Sequence, residues 1–261
     1  MNEQWILTAG HCCAPSSKAT IAPSTVSFEI GTTKDRSCGT HPGQCNPTPT
    51  TMTPTLTATT ESSTTDGLIF NATKIVLFKK YNKRGGAPRK DYCLVKVDGD
   101  MLDNDLGLTP VTLPAAHLLP DLALKSEPIR KTRSNCWVVG WGTTETGKQS
   151  EDLLKTKVQV YSDQYCLTTG YTKNDHPVKS DGRFQFCAGS TSGKNDSCQG
   201  DSGGPLFCYG DDLVDGSLPY FQYGIVSFGR ACGSAGAPGM YAKISMVAKW
   251  IQKVCKQRDR K

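Results

Sequence analysis

The segment Asp196-Ser197-Cys198-Gln199-Gly200-Asp201-Ser202-Gly203-Gly204-Pro205 leaves this chain few ways to fold. Its glycines permit turn geometry and a close backbone approach that a side chain would forbid. A serine hydroxyl is far too basic to ionise near neutrality, so it becomes a nucleophile only where a base and an anion-stabilising pocket are assembled around it. Ser202 is the candidate nucleophile. The N–H groups of Gly200 and Ser202 can converge on one point, where the oxygen of an attacked carbonyl would sit. A fold that uses this segment must therefore deliver a base from elsewhere in the chain.

With 261 residues, 37% of them hydrophobic, 26 Gly and 15 Pro, the chain suits one large turn-rich β domain or two small ones. The net charge is +6, but Lys and Arg are dispersed apart from short groups such as Arg258-Asp259-Arg260-Lys261. That pattern describes a solvated surface rather than a nucleic-acid footprint, and no nucleic-acid partner is expected. No run is long and apolar enough to span a bilayer. Twelve cysteines, few at zinc-ligand spacing, indicate an oxidising compartment, so a secreted, extracellular protein is expected. The start, Met1-Asn2-Glu3-Gln4-Trp5, lacks the pattern of an export signal. Cys12 and Cys13 are adjacent and no His cluster joins them, so no metal site is expected.

Trp5-Ile6-Leu7-Thr8-Ala9-Gly10-His11-Cys12 reads as a buried strand running into a helical turn that presents His11. Residues 38–67 are rich in Thr, Pro and Ser and nearly devoid of apolar residues, which predicts a mobile surface loop; a plain spacer and a gate over the site are both open. Asn71-Ala72-Thr73 is an N-glycosylation sequon. Asn195-Asp196-Ser197 also fits, but no sugar is expected there, beside Cys198. Ile75-Val76-Leu77-Phe78 predicts a strand, and Asp91-Tyr92-Cys93-Leu94-Val95-Lys96-Val97 another, opened by Asp91 and followed by the turn acids Asp98, Asp100, Asp103 and Asp105. Further strands are expected at 136–143, 158–160, 223–229 and 239–244, and a helical turn at Tyr165-Cys166. Ile244, Val247, Ala248, Ile251 and Val254 fall at helical spacing.

Taken together, the serine segment, Trp5 to Cys12 and Asp91 to Val97 resemble the chymotrypsin-family serine endopeptidases of the trypsin branch, in the order His, Asp, Ser. The first segment is similar to Trp-x-Leu-Thr-Ala-Ala-His-Cys, with Gly10 in place of the second Ala. The other is similar to Asp-Ile-Ala-Leu-Leu-Lys-Leu, with Tyr92 and Cys93 as departures and Lys90 where Asn is usual. The resemblance covers most of Trp5 to Val254 apart from the insertion. It implies an all-β fold of two six-stranded antiparallel barrels and a C-terminal helix, in one peptidase domain over 1–261. The first, incomplete barrel would lie in 1–112, the second in 128–243 and the helix in 244–257.

The roles it implies are His11 as general base, Asp91 as its orienting partner and Ser202 as nucleophile, with Gly200 and Ser202 amides as the oxyanion hole. Asp196, six residues before Ser202, would floor a specificity pocket walled by Gly229 and Gly239, which favours a long cationic side chain and cleavage after Arg or Lys. Ser227 would hydrogen-bond Asp91. Phe228, where Trp is usual, would line the neighbouring apolar subsite. The implied disulfides are Cys136–Cys208, Cys166–Cys187 and Cys198–Cys232. Cys13 and Cys93, next to the paired His11 and Asp91, are expected to bond; Cys38 and Cys45 can close the insertion; Cys12 and Cys255 have no assigned partner.

Family enzymes begin with an Ile-Val-Gly-Gly-like amino terminus that inserts beside the Asp before the nucleophile, here Asp201. Only ten residues precede His11. The expectation is therefore an incomplete piece or a shortened form, with Asp201 unpaired and the segment loose and zymogen-like. Protein or peptide substrates with Arg or Lys, protein protease inhibitors, a monomeric state and a mechanism that needs no cofactor follow from the same resemblance. The rival reading is a catalytically silent homologue that binds a partner through its loops.

Overall fold

A computed structural model describes residues 4–14, 20–30, 56–57, 68–82, 87–102, 109–111, 113, 133–168, 172–173, 176–177, 182–208 and 221–256. Cys38, Cys45 and the expected Thr/Pro-rich loop lie outside these residues, apart from 56–57. In chain order the elements are β1 (Trp5–Thr8), α1 (Gly10–Cys13), β2 (Ser27–Ile30), β3 (Leu56–Thr57), β4 (Leu68–Leu77), β5 (Cys93–Val97), β6 (Thr109–Pro110), β7 (Arg133–Gly140), β8 (Leu154–Val160), α2 (Asp163–Thr168), β9 (Thr172–Lys173), β10 (His176–Pro177), β11 (Gln185–Gly189), β12 (Pro205–Cys208), β13 (Phe221–Phe228), β14 (Gly239–Lys243) and α3 (Ala248–Lys256).

In the first half, four strands form a sheet in the order β1-β5-β4-β2. Strand β1 carries Trp5, Ile6 and Leu7 in succession because it is buried on both faces. Side chains alternate across a strand, so Ile6 joins Phe28, Val95 and Val97 inside the curled sheet. Trp5 and Leu7 face the other way and meet Leu94, Ile225, Ala242 and Ile251. That second cluster joins the first sheet to the second half and to the C-terminal helix.

The second half is a closed six-stranded antiparallel barrel, β11-β14-β13-β12-β7-β8. Its interior holds Val138, Val158, Phe186, Leu206, Phe221 and Tyr241. Register shifts at Leu206/Phe207 and at Val226/Phe228 bend the strands where the barrel turns toward the serine segment. The architecture is thus the expected all-β fold of a closed barrel, a curled half-barrel sheet and a C-terminal helix.

Local differences from expectation have physical causes. Strand β4 runs from Leu68, well before Ile75, because its outer face carries Asn71, Thr73 and Lys74 and so breaks the apolar signal. Strand β5 starts at Cys93 because Lys90 adopts φ +52 and the Tyr92 N–H turns back to the Lys90 carbonyl. The closing helix is divided: Ile244–Met246 is a 3-10 turn, and α3 starts at Ala248. All five apolar positions of the helical pattern are buried nonetheless.

Candidate active site

Pairing of Thr8 with Cys93 places the turn after β1 beside the residues preceding β5. The short α1 then holds His11 against Asp91. The His11 backbone N–H donates to Asp91 Oδ1 at 2.7 Å, and His11 Nδ1 lies 2.8 Å from Asp91 Oδ2. Ser227, on β13 of the other half, donates its hydroxyl to the same Oδ2 at 2.5 Å. Asp91 is fully buried, and these three donors satisfy its carboxylate. Burial works against the His11 imidazolium, but the hydrogen bond and charge of Asp91, with Cys12 adding, outweigh it and raise the pKa above the ordinary value. The Cys13–Cys93 disulfide rivets α1 to β5 directly behind this pair. Gly10 is required here: a Cβ would stand 2.8 Å from the Tyr81 ring and 3.2 Å from Asp91 Oδ1.

The serine segment docks on the same junction. Gly200 and Gly203 have φ of +102 and +84, which glycine adopts without strain. A Cβ on Gly203 would overlap Thr8 Oγ1 and stand 3.1 Å from Cys12 Sγ, so the loop lies directly on the end of β1. Cys12 Sγ sits 3.7 Å from His11 Nε2 and 3.6 Å from the Ser202 carbonyl. The structure therefore brings His11 and Ser202 to one place, with the Cys12 thiol touching both. A direct hydrogen bond from Ser202 Oγ to Nε2 is not among those formed by the described residues.

Next to the serine, the Gln199 carbonyl accepts from the Thr143 N–H at 2.8 Å and lies 3.2 Å from the Thr143 hydroxyl. In a trans peptide the carbonyl and the following N–H point opposite ways, so this clamp turns the Gly200 N–H away from Thr143. Asp201 has a buried carboxylate with backbone donors but no cation beside it among the described residues: Gly142 N–H donates to Oδ1 and Cys198 N–H to Oδ2, each at 2.8 Å. It fills the space where Cβ atoms of Gly140 and Gly142 would be. Backbone donors of the surrounding turns hold it in place, although burial still raises its pKa.

Asp196 lies at the base of the neighbouring recess, with its carboxylate accepting from Ser197 N–H at 2.9 Å and Gly233 N–H at 3.1 Å. Burial pushes its pKa up to about 6. A Cβ on Gly239 would be 2.9 Å from Asp196 Oδ1, so only glycine leaves the carboxylate open on that side. Gly229 is exposed just past the end of β13, and the half-buried Phe228 packs on the Tyr161, Cys166 and Met240 cluster. A cavity of about 820 Å³ runs beneath the segment, bordered by Gly140, Gly142, Asp196, Asp201 and the Cys198–Cys232 disulfide.

Cys136–Cys208 and Cys166–Cys187 are also bonded. Asn71 is exposed on β4, near the Val97 end of β5 and away from the end at Cys93 that adjoins Asp91. Several contributors carry no sequence signal of their own. Tyr92 is completely buried, with its hydroxyl 2.9 Å from the Phe184 carbonyl and 2.8 Å from that of Lys243, joining the two halves. Tyr81, Thr143 and the Ser197–Tyr241 hydroxyl pair at 3.0 Å were equally unmarked.

Comparison with known proteins agrees with this geometry. The family model described as Trypsin matches residues 36–251. The match starts beyond His11, whose placement rests on its contacts with Asp91 and the serine segment. Phenoloxidase-activating factor 3 of Holotrichia diomphalia is 28% identical over 252 residues, covering 97% of this chain and 61% of the relative. The chain thus spans about three fifths of the length of that curated relative. With most of its length matched by the family model, and a closed barrel and half-barrel carrying His, Asp and Ser segments at one junction, the chain belongs to the trypsin family of serine-protease-like proteins.

Proposed function

We propose that the chain is the peptidase domain of a secreted serine endopeptidase that cleaves after Arg or Lys. The observation that carries this reading is the Asp91 carboxylate, buried and shared between His11 and Ser227, with the serine segment seated on the adjoining turn. Asp91 fixes the Nδ1–H tautomer of His11 and stabilises the imidazolium that forms. His11 Nε2 takes the Ser202 proton as Oγ attacks a peptide carbonyl, then delivers it to the leaving amine. The Gly200 and Ser202 amides hold the oxyanion, and water hydrolyses the acyl-enzyme in a second round through the same base. Asp196 pairs with the cationic side chain that extends between Gly229 and Gly239. Phe228 lines the adjacent subsite.

The four disulfides among described residues support an oxidising, extracellular setting. The cavity beside Asp201 supports a zymogen-type control, in which a freed amino terminus enters and pairs with that carboxylate. The domain division proposed is a first half over 1–112 and a second over 128–243. Labelling of Ser202 by a fluorophosphonate probe, followed by turnover of matched Arg, Lys and Leu peptide substrates, tests the reading. Ser202-dependent labelling with turnover of Arg and Lys peptides is expected. Absence of labelling in the activated protein would instead favour a silent homologue that acts by binding.

A further inference from the structure

We infer that Asn71 carries the single N-linked glycan of the described residues, and that this glycan covers an apolar spot on the outer face of the first sheet. The inference rests on the proposed export through the secretory pathway, and is independent of catalysis.

Strand alternation puts Ile69, Asn71 and Thr73 on the outer face of β4, while Ala72 points inward and is buried. Opposite them on β2, Ser27 pairs with Asn71 and Glu29 with Ile69, whereas Phe28 and Ile30 are buried in the core. Ile69 is 68% exposed, the most exposed large hydrophobic among the described residues. It lies two positions from the acceptor asparagine on the same face, which is within the footprint of a sugar core attached at Asn71.

The acceptor amide is arranged to keep its contacts after modification. Asn71 Nδ2 donates one hydrogen to Asp98 Oδ2 at 3.0 Å, and the Asn71 backbone N–H donates to Asp98 Oδ1 at 3.0 Å. A primary amide has two hydrogens. Transfer from a lipid-linked pyrophosphoryl oligosaccharide breaks the sugar C1–O bond and forms a C1–Nδ2 bond. One amide proton departs, and lipid pyrophosphate is the leaving group. The remaining N–H still reaches Asp98, so the glycosylated residue fits the folded strand without loss of its clamp.

The second sequon differs in exposure and in its neighbours rather than in the hydrogen bonding of its amide. Asn195 is half-buried, its amide donates to the Lys157 carbonyl, Asp196 is the pocket acid, and Ser197 Oγ is paired with Tyr241. A branched sugar at Asn195 would crowd Asp196 and the Cys198–Cys232 disulfide, whereas Asn71 is exposed.

The test is the intact mass of the full chain directed through the secretory pathway of insect cells, before and after enzymatic release of N-glycans. One glycan is expected. It should vanish in Asn71→Gln and in Thr73→Val, which keeps Asn71 and its Asp98 contacts, and persist in Asn195→Gln. A disulfide-bonded, exported chain with a bare Asn71, or a glycan lost only in Asn195→Gln, overturns the inference while leaving the export reading standing. Deglycosylated protein is expected to self-associate, and Ile69→Thr to restore the monomer. Deglycosylated protein that stays monomeric would remove the covering role.

Discussion

The Ser227 hydroxyl donates to Asp91 Oδ2, the carboxylate oxygen that also accepts from His11 Nδ1. A residue of the closed barrel therefore holds the acid that precedes β5 of the first sheet, and the two halves are bound together at the proposed proton-transfer site. Removing the hydroxyl leaves a buried carboxylate short of one donor, and a hydrogen bond to a charged acceptor is worth about 1.5–3 kcal/mol. Ser227→Ala is expected to lower kcat about tenfold with KM little changed, since about 1.4 kcal/mol is a factor of ten. Asp91→Asn should lower kcat by about 10⁴, because the amide favours the wrong tautomer. Equal activity of Ser227→Ala and the parent in steady-state assays would deny the hydroxyl a part in holding Asp91.

Thr143 bonds the Gln199 carbonyl through both its N–H and its hydroxyl, and so orients the next N–H, that of Gly200. Loss of the hydroxyl contact, worth about 1 kcal/mol as a neutral hydrogen bond, lets the peptide sample other orientations. Thr143→Val is expected to reduce kcat about fivefold at unchanged KM, by the same arithmetic. Thr143→Ser should retain the parental value. If valine and serine variants show the same kcat, the clamp is supplied by the backbone alone.

How much of this was legible in the sequence depended on whether a contact needs a particular side chain. The meeting of His11, Asp91 and the Ser202 segment was readable because the proposed chemistry demands those three groups, and the Cys13–Cys93 bond because each cysteine neighbours a paired residue. Gly10 was visible as a departure, but its reason, the Tyr81 ring, became clear only in three dimensions. The donors to Asp201 left no mark because they are the backbone N–H groups of Gly142 and Cys198, which any residue can supply. Tyr92 stood in an apolar strand pattern, and nothing local marks its hydroxyl as a link to Phe184 and Lys243.

Lys90 is the one non-glycine residue of positive φ among those described, at +52. An L side chain in the left-handed region raises the energy by about 1–2 kcal/mol, less for Asn. Its ammonium lies 5.0 Å from the Phe184 ring centre, which offsets part of that strain by about 0.5–1 kcal/mol. Lys90→Asn is accordingly expected to raise stability by about 0.5 kcal/mol, and Lys90→Ala, which keeps the strain and loses the ring contact, to lower it. Urea unfolding midpoints of the two variants check this order. A less stable Asn variant would mean that the ring contact outweighs the backbone term.

Asp196 gives the protein a pH dependence with a defined sign. Burial raises its pKa from 3.8 to about 6, so the folded state holds the proton more tightly than the unfolded chain. The stabilising contribution is then fully present below 3.8 and is lost as pH rises through about 6. At about 1.4 kcal/mol for each tenfold change, the ceiling is about 3 kcal/mol, and partial solvent access reduces it to about 2. Asp196→Asn should therefore change stability more favourably at about pH 8 than at about pH 4, by about 2 kcal/mol, read from urea titrations at both. The same ionisation should appear in catalysis. Only the charged carboxylate pairs with a cationic side chain, so KM for Arg peptides is expected to rise as pH falls through about 6, and to stay flat in Asp196→Asn. A flat KM profile in the parent would place the cationic side chain elsewhere and remove Asp196 from the specificity pocket.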